Sequence, residues 1–342
     1  MKNSKTNILL IYTGGTIGMV KDTKTDSLKA FDFSKIQERI TELEQLDCNI
    51  TTVSFDKPID SSDMNIDRWV QIVSIIEENY NDFDGFVVLH GSDTMSYSAS
   101  ALSFMLENLS KPVVFTGSQL PIGDLRTDAK ENLITAIQIA CLKENGVSVI
   151  QEVCLYFEYK LYRGNRTTKI NAEHFEAFES ANYPPLVESG VHLKVRNDLL
   201  LAKPSKKIIF HKELDNNIVV LKLFPSITSN VLAAIISIPN LKGIVLETYG
   251  AGNTTMESWF IKILEKAIQS GIQIVNVTQC IGGEVMMGKY ENSSALKKIG
   301  LISGKDITTE SAVTKLMYML GQKVSPGVFK TIFETSLRGE IS

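Results

Sequence analysis

The chain has 342 residues, of which 44% are hydrophobic and 22% charged, and a net charge of −4 at pH 7. That length exceeds one ordinary hydrophobic core, so two domains are the default, and the composition is that of a globular protein. A pI near 5.7 gives no general attraction to nucleic acid or an anionic membrane, and no stretch approaches the ~20 apolar residues of a membrane span.

Residues 7–12, Asn7-Ile8-Leu9-Leu10-Ile11-Tyr12, read as a buried strand that runs straight into Thr13-Gly14-Gly15-Thr16-Ile17-Gly18. A polar loop follows, then a helix over 34–46 and a strand over 50–55. Trp69, Ile72, Val73, Ile76 and Tyr80 recur at helical spacing, so 67–79 is predicted as an amphipathic helix. Further on, 85–89 is a buried strand, 94–108 a helix, 112–116 a strand, 127–143 a helix and 153–157 a strand. Such alternation points to a mainly parallel sheet with helices on both faces. From 161 to 195 the pattern turns irregular. Alternation resumes with strands over 218–223, 243–246 and 272–277 and helices over 229–236, 256–269, 308–320 and 326–336. The expected organisation is α/β throughout: a larger N-terminal domain over 1–196, a connection over 197–217, and a smaller α/β domain over 218–342.

Four cysteines (Cys48, Cys141, Cys154 and Cys280) lie far apart without a CxxC pairing, which argues against a cysteine zinc site or a disulfide framework. A reducing cytoplasm is the expected location. His90, His174, His192 and His211 have no metal-ligand spacing, no GxxxxGK[ST] or GxGxxG run is present, and no GxSxG elbow occurs. No metal and no cofactor are expected.

Hydroxyls at strand ends are the recurring feature instead. Thr16 follows a core strand, where ligands bind in open α/β sheets; the alternative is a tight turn whose threonines satisfy local backbone groups. His90-Gly91-Ser92-Asp93-Thr94-Met95 follows another core strand. Asp93 or Thr94 would serve there as a helix cap. Equally, an ionised Asp93 would grip a substrate ammonium while Ser92 offers a second hydroxyl. Asp60-Ser61-Ser62-Asp63-Met64 reads either as a capping loop or as hydroxyls and amides for a substrate carboxylate. Tyr162-Arg163-Gly164-Asn165-Arg166-Thr167-Thr168-Lys169 is either a solvated basic surface or the source of a catalytic lysine. A lysine acting as base must shed its proton near neutral pH, which neighbouring cations favour and a carboxylate opposes. Together these groups suit nucleophilic attack on a carbonyl without a cofactor.

These four segments together resemble the bacterial-type L-asparaginases, most closely the cytoplasmic type I group. The resemblance extends through Thr116-Gly117-Ser118-Gln119, Thr248-Tyr249-Gly250-Ala251-Gly252-Asn253, Thr278-Gln279-Cys280 and Leu337-Arg338-Gly339-Glu340. It implies hydrolysis of L-asparagine to L-aspartate and ammonia, with L-glutamine a weaker substrate and no nucleic-acid or membrane partner. It further implies that Thr16 is the nucleophile of an acyl-enzyme and that Ser92, Asp93 and Lys169 form a second catalytic set. Asp93 would bind the α-ammonium and Ser61 the α-carboxylate, with Gly15, Asp60, Ser62 and Ser92 also lining the substrate. A homodimer or homotetramer is implied as well. Two departures stand out. The family's loop tyrosine has no counterpart between Met19 and Phe33, and Ser92 stands where many members carry threonine. Thr168 and Cys280 fall where a regulatory asparagine site would draw residues, but Glu247 stands in place of an arginine there, so weak or absent activation is expected. A subunit of a tRNA-dependent amidotransferase, which would need an added domain and a partner, and a non-catalytic asparagine sensor are the competing expectations.

Overall fold

In the computed structural model, which describes residues 5–21, 28–30, 40–288 and 291–342, the opening apolar run is strand β1 (Thr6–Gly14). Parallel neighbours flank it on both sides, β2 (Cys48–Ile59) and β3 (Gly85–Leu89). β4 (Val113–Thr116) and β5 (Val153–Phe157) extend the parallel set beyond β3. Ile8, Leu9, Leu10 and Ile11 are all fully buried, because a parallel strand is covered on both faces. Ile8, Leu10 and Tyr12 share one core cluster with Leu133, Ala136 and Ile137 of helix α3 (Ala129–Ala140). The alternate residues face the opposite layer, where α1 (Ile66–Asn79) packs on α2 (Met95–Met105). The predicted stripe of α1 is the buried one, and Asn65 caps it by accepting the Arg68 N–H at 3.1 Å.

The region predicted as irregular proves to be the antiparallel edge of the same sheet. β6 (Lys160–Arg163), β7 (Val187–Ser189) and β8 (Leu193–Val195) complete an eight-stranded order β8-β7-β6-β5-β4-β3-β1-β2 among the described residues. A two-residue turn with left-handed backbone at Glu158 (φ 43°) and Tyr159 (φ 69°) reverses the chain between β5 and β6. Strands of three or four residues are too short to display a period of two. The helix predicted over 94–108 stops at Met105 because Leu106–Glu107 pairs with Ile209–Phe210. Of the helix predicted over 34–46, residues 34–39 lie outside the described residues, and Thr41–Gln45 is a 3-10 turn.

The chain divides into two compact units, Met1–Lys212 and Glu213–Ser342. The second holds a parallel sheet in the order β9 (Ile218–Lys222), β10 (Gly243–Thr248), β11 (Gln273–Thr278), β12 (Ile302–Ser303). Its helices are α4 (Ser229–Ile236), α5 (Ser258–Gln269), α6 (Glu291–Lys298), α7 (Thr309–Gly321) and α8 (Pro326–Phe333). Leu221, Ile244, Leu246, Phe260, Leu264 and Ile274 form its core. Both units are α/β, the first and larger being mainly parallel with helices on both faces. No helix among the described residues is long and apolar enough to cross a membrane.

Candidate active site

β2, β1 and β3 lie side by side and run the same way, so their carboxyl ends open on one edge. β2 delivers Asp60 and Ser61 there, β1 delivers Gly15 and Thr16, and β3 delivers Gly91 and Ser92. Each hydroxyl enters a one-turn 3-10 segment: Thr16–Gly18, Ser61–Asp63 and Ser92–Thr94. Two glycines let these turns touch. A Cβ on Gly15, whose φ of +85° already disfavours a side chain, would lie 2.5 Å from the Gly91 backbone nitrogen. A Cβ on Gly91 would lie 2.6 Å from the Ser61 hydroxyl. Thr94 Oγ1 then donates to the Ser61 carbonyl at 2.7 Å, fastening the turn after β3 to the turn after β2.

The fourth segment arrives from the antiparallel edge. Lys169, in the short strand Thr168–Lys169 paired with Phe178–Glu179, donates from Nζ to Ser92 Oγ at 2.8 Å and to Asp93 Oδ1 at 2.6 Å. The Lys169 side chain is 17% exposed and that of Asp93 68%, so the pair is open to an incoming small molecule. The two arginines of the same segment point elsewhere. Arg163 is buried against Glu152 at 2.6 Å, and both Arg163 and Arg166 stack on the Tyr183 ring, at 4.4 and 5.2 Å from its centre. They hold the fold, and Lys169 alone of the three basic residues faces the hydroxyls.

Gln119 was legible only as part of a family motif, yet it completes the ring of contacts. Ser92 Oγ donates to Gln119 Oε1 at 3.2 Å, and Gln119 Nε2 donates to the His174 carbonyl at 2.9 Å. The Gln119 backbone N–H is held by the Asp128 carboxylate at 2.9 and 3.1 Å, and Asn132 Nδ2 donates to the Gly117 carbonyl at 3.1 Å. The signal for it is the same one that marks Ser92, a Gly-Ser pair directly after a buried strand.

His90 was read from its spacing only as a poor metal ligand; the structure gives it a positioning task. Its Nδ1 lies 2.7 Å from the Gly91 carbonyl and its Nε2 2.8 Å from Ser98 Oγ, which also receives the Trp69 Nε1–H at 2.9 Å. Since a carbonyl only accepts, we assign the proton to Nδ1, and Ser98 donates to Nε2. Complete burial keeps this imidazole neutral, its pKa pushed down to about 4. The chain Trp69–Ser98–His90 thereby fixes the peptide that precedes Ser92.

Of the other predicted residues, Asp60 and Ser62 bond to each other. Asp60 Oδ1 accepts the Ser62 N–H at 2.9 Å and its hydroxyl at 2.8 Å, which lowers the Asp60 pKa and caps the Ser61–Asp63 turn. Ser61 is buried at the Gly91 contact, and Thr16 is half-buried in the turn that packs there. In the second unit, Glu247 accepts from Thr309 Oγ1 at 2.8 Å and lies 3.6 Å from Lys222 Nζ. Among the described residues no group of three or more His, Cys, Asp or Glu is placed to hold a metal.

Two α/β units, the first carrying hydroxyls and a lysine beyond the carboxyl ends of parallel strands, define the class. Within it, the N-terminal asparaginase family model matches residues 7–201, and the glutaminase/asparaginase C-terminal domain model matches 217–333. The chain belongs to the asparaginase family. It is 40% identical over 339 residues to L-asparaginase 1 of Escherichia coli (strain K12), covering 99% of this chain and 98% of that protein. It is 43% identical over 288 residues to a 60 kDa lysophospholipase of Mus musculus, covering 83% of this chain and 49% of that one. The crystal structure of L-asparaginase I from Vibrio cholerae superposes with a TM-score of 0.91 at 39% identity, covering 99% of this chain and all of that one.

Proposed function

We propose that the protein hydrolyses L-asparagine to L-aspartate and ammonia in the cytoplasm, as a homodimer or homotetramer. The Thr16 hydroxyl attacks the side-chain amide carbon, and the tetrahedral intermediate that results carries an oxyanion. With the Gly15 N–H already donated to the Ile59 carbonyl at 3.2 Å, the backbone N–H groups of Thr16 and Ser92 are the donors at hand for it, and such a donor is worth about 3–4 kcal/mol in acyl transfer. The C–N bond then breaks, and the nitrogen leaves as ammonia with a proton supplied from the site. Water cleaves the threonine ester, releasing aspartate and returning the proton to Thr16. Ser92 and Lys169 share the proton movements, Asp93 holds the substrate ammonium, and Ser61 receives its α-carboxylate.

The observation that carries this reading is the Lys169 bond to both Ser92 and Asp93, set beside the contact between Gly15 and Gly91. Membership of the asparaginase family and 40% identity to a named L-asparaginase along the whole chain support it. The test is ammonia release from L-asparagine, D-asparagine and L-glutamine side by side. L-Asparagine is expected to react fastest, and one extra methylene in the pocket should slow L-glutamine by about 10–200-fold. No ammonia from L-asparagine with the fold intact would overturn the proposal and leave a binding role.

A further inference from the structure

Cys48 opens β2 and Cys141 ends α3, far along the chain, yet the fold brings them together. Both pack against the core cluster between the sheet and α3, and each thiol is the largest influence on the other's pKa. Both are half-buried, and they line one groove of about 900 Å³ together with Asp47, Gln138, Tyr159 and His192. The remaining thiols are placed differently: Cys154 is fully buried and Cys280 is exposed in the second unit. Nor do Cys48 and Cys141 belong to the hydroxyl–lysine site. The opposite end of α3, at Asp128 and Asn132, is the end that holds the turn carrying Gln119.

Two thiols lining one groove meet the requirements of thiol–disulfide exchange. We propose that Cys48 and Cys141 are a redox-active dithiol, oxidised to an intramolecular disulfide by a low-molecular-weight disulfide entering this groove. Their surroundings divide the labour. Cys141, with Lys5 nearby, draws the Cys48 thiol below its ordinary pKa against the opposing effects of burial and Asp47. Cys48 and burial push the Cys141 thiol up.

Cys48 thiolate therefore attacks one sulfur of the small disulfide. The reagent's S–S bond breaks, and the departing thiolate takes a proton from water. Cys141 then gives its proton to solvent and attacks the Cys48 sulfur, expelling the second small thiol. Two protein thiols are oxidised to one disulfide, and one small disulfide is reduced to two thiols.

The test exposes the full chain to glutathione disulfide and maps the products by mass spectrometry. The result expected is a protein lighter by two hydrogens, with peptides joined through Cys48 and Cys141. Cys141→Ser should trap a glutathione adduct on Cys48, and Cys48→Ser should leave Cys141 at least tenfold slower to react. Either a lasting adduct or no reaction at this pair in the unsubstituted chain would overturn the proposal. Equal reactivity of the two single variants would overturn the order of attack. The mapping of the unsubstituted chain needs no variant to fold.

Discussion

Two lysine–carboxylate pairs, one in each unit, use the same groups under opposite conditions. In the second unit Lys315 and Glu340 are completely buried, and their side chains bond directly. Lys315 Nζ also donates to the carbonyls of Phe333 at 2.7 Å and Thr335 at 2.8 Å, which uses all three of its N–H groups. Glu340 accepts the backbone N–H groups of Leu337 at 2.9 Å and Arg338 at 2.7 Å. This pair fastens the C-terminal segment to α7 and has no capacity left for a ligand. In the first unit Lys169 meets only two acceptors among the described residues, one a hydroxyl and the other on a carboxylate mostly open to water. Saturation and burial make one pair a latch; an open coordination shell makes the other the candidate site.

Exchanging the charges one at a time tests that contrast. Lys169→Met should lower the rate of asparagine hydrolysis by about 10²–10⁴-fold, the usual weight of a positioned proton-transfer group. Its stability, read from urea melts, should change by less than about 1 kcal/mol, because a pair exposed on one side contributes little. Lys315→Met should do the reverse. It strands Glu340 in the interior, so thermal unfolding should show a loss of about 3–5 kcal/mol, with KM for asparagine unchanged in the folded fraction. If the two variants behaved alike, the division into latch and site would fail.

His90 supplies a pH test of the scaffold beneath Ser92. Its folded pKa of about 4 lies below the ordinary 6.5, so the unfolded chain takes up the proton first as pH falls. The stabilising contribution is complete above pH 6.5 and is lost between 6.5 and 4, amounting to about 3 kcal/mol at about 1.4 kcal/mol per unit. Urea melts across that window should show the loss in the parent protein and a flatter profile in His90→Asn. An identical profile would mean that other groups control it. The smallest expected effect concerns Glu247, whose carboxylate is already engaged by Thr309 and lies near Lys222. The asparagine saturation curve should be hyperbolic, and a sigmoidal curve unaltered by Glu247→Ala would show that the effector pocket lies elsewhere.

Much of the scaffold was legible because long apolar runs and periodic stripes are local signals. β1, β3 and α1 needed only their own residues. The site was legible as a pattern, glycines and hydroxyls directly after buried strands, since parallel pairing brings such ends to one edge whatever their separation in the chain. What escaped depends on distant partners. The strands between Lys160 and Val195 acquire their conformation from pairing with β5 and with each other. Nothing near Arg163 announces that Glu152 will draw it inside. Gln119 gains its role only when β4 places it beside Ser92, and four scattered cysteines gave no hint that Cys48 and Cys141 would line one groove. The loop without a tyrosine, between Met19 and Phe33, lies largely outside the described residues.

The central claim is that Thr16, carried past the end of β1 against Gly91, is the group that attacks the amide. Ammonia release by Thr16→Ala, measured beside the parent protein with matched circular dichroism, tests it most directly. The account predicts a loss of about 10³-fold or more with the fold retained. A folded Thr16→Ala protein that keeps most of the parent rate would contradict it.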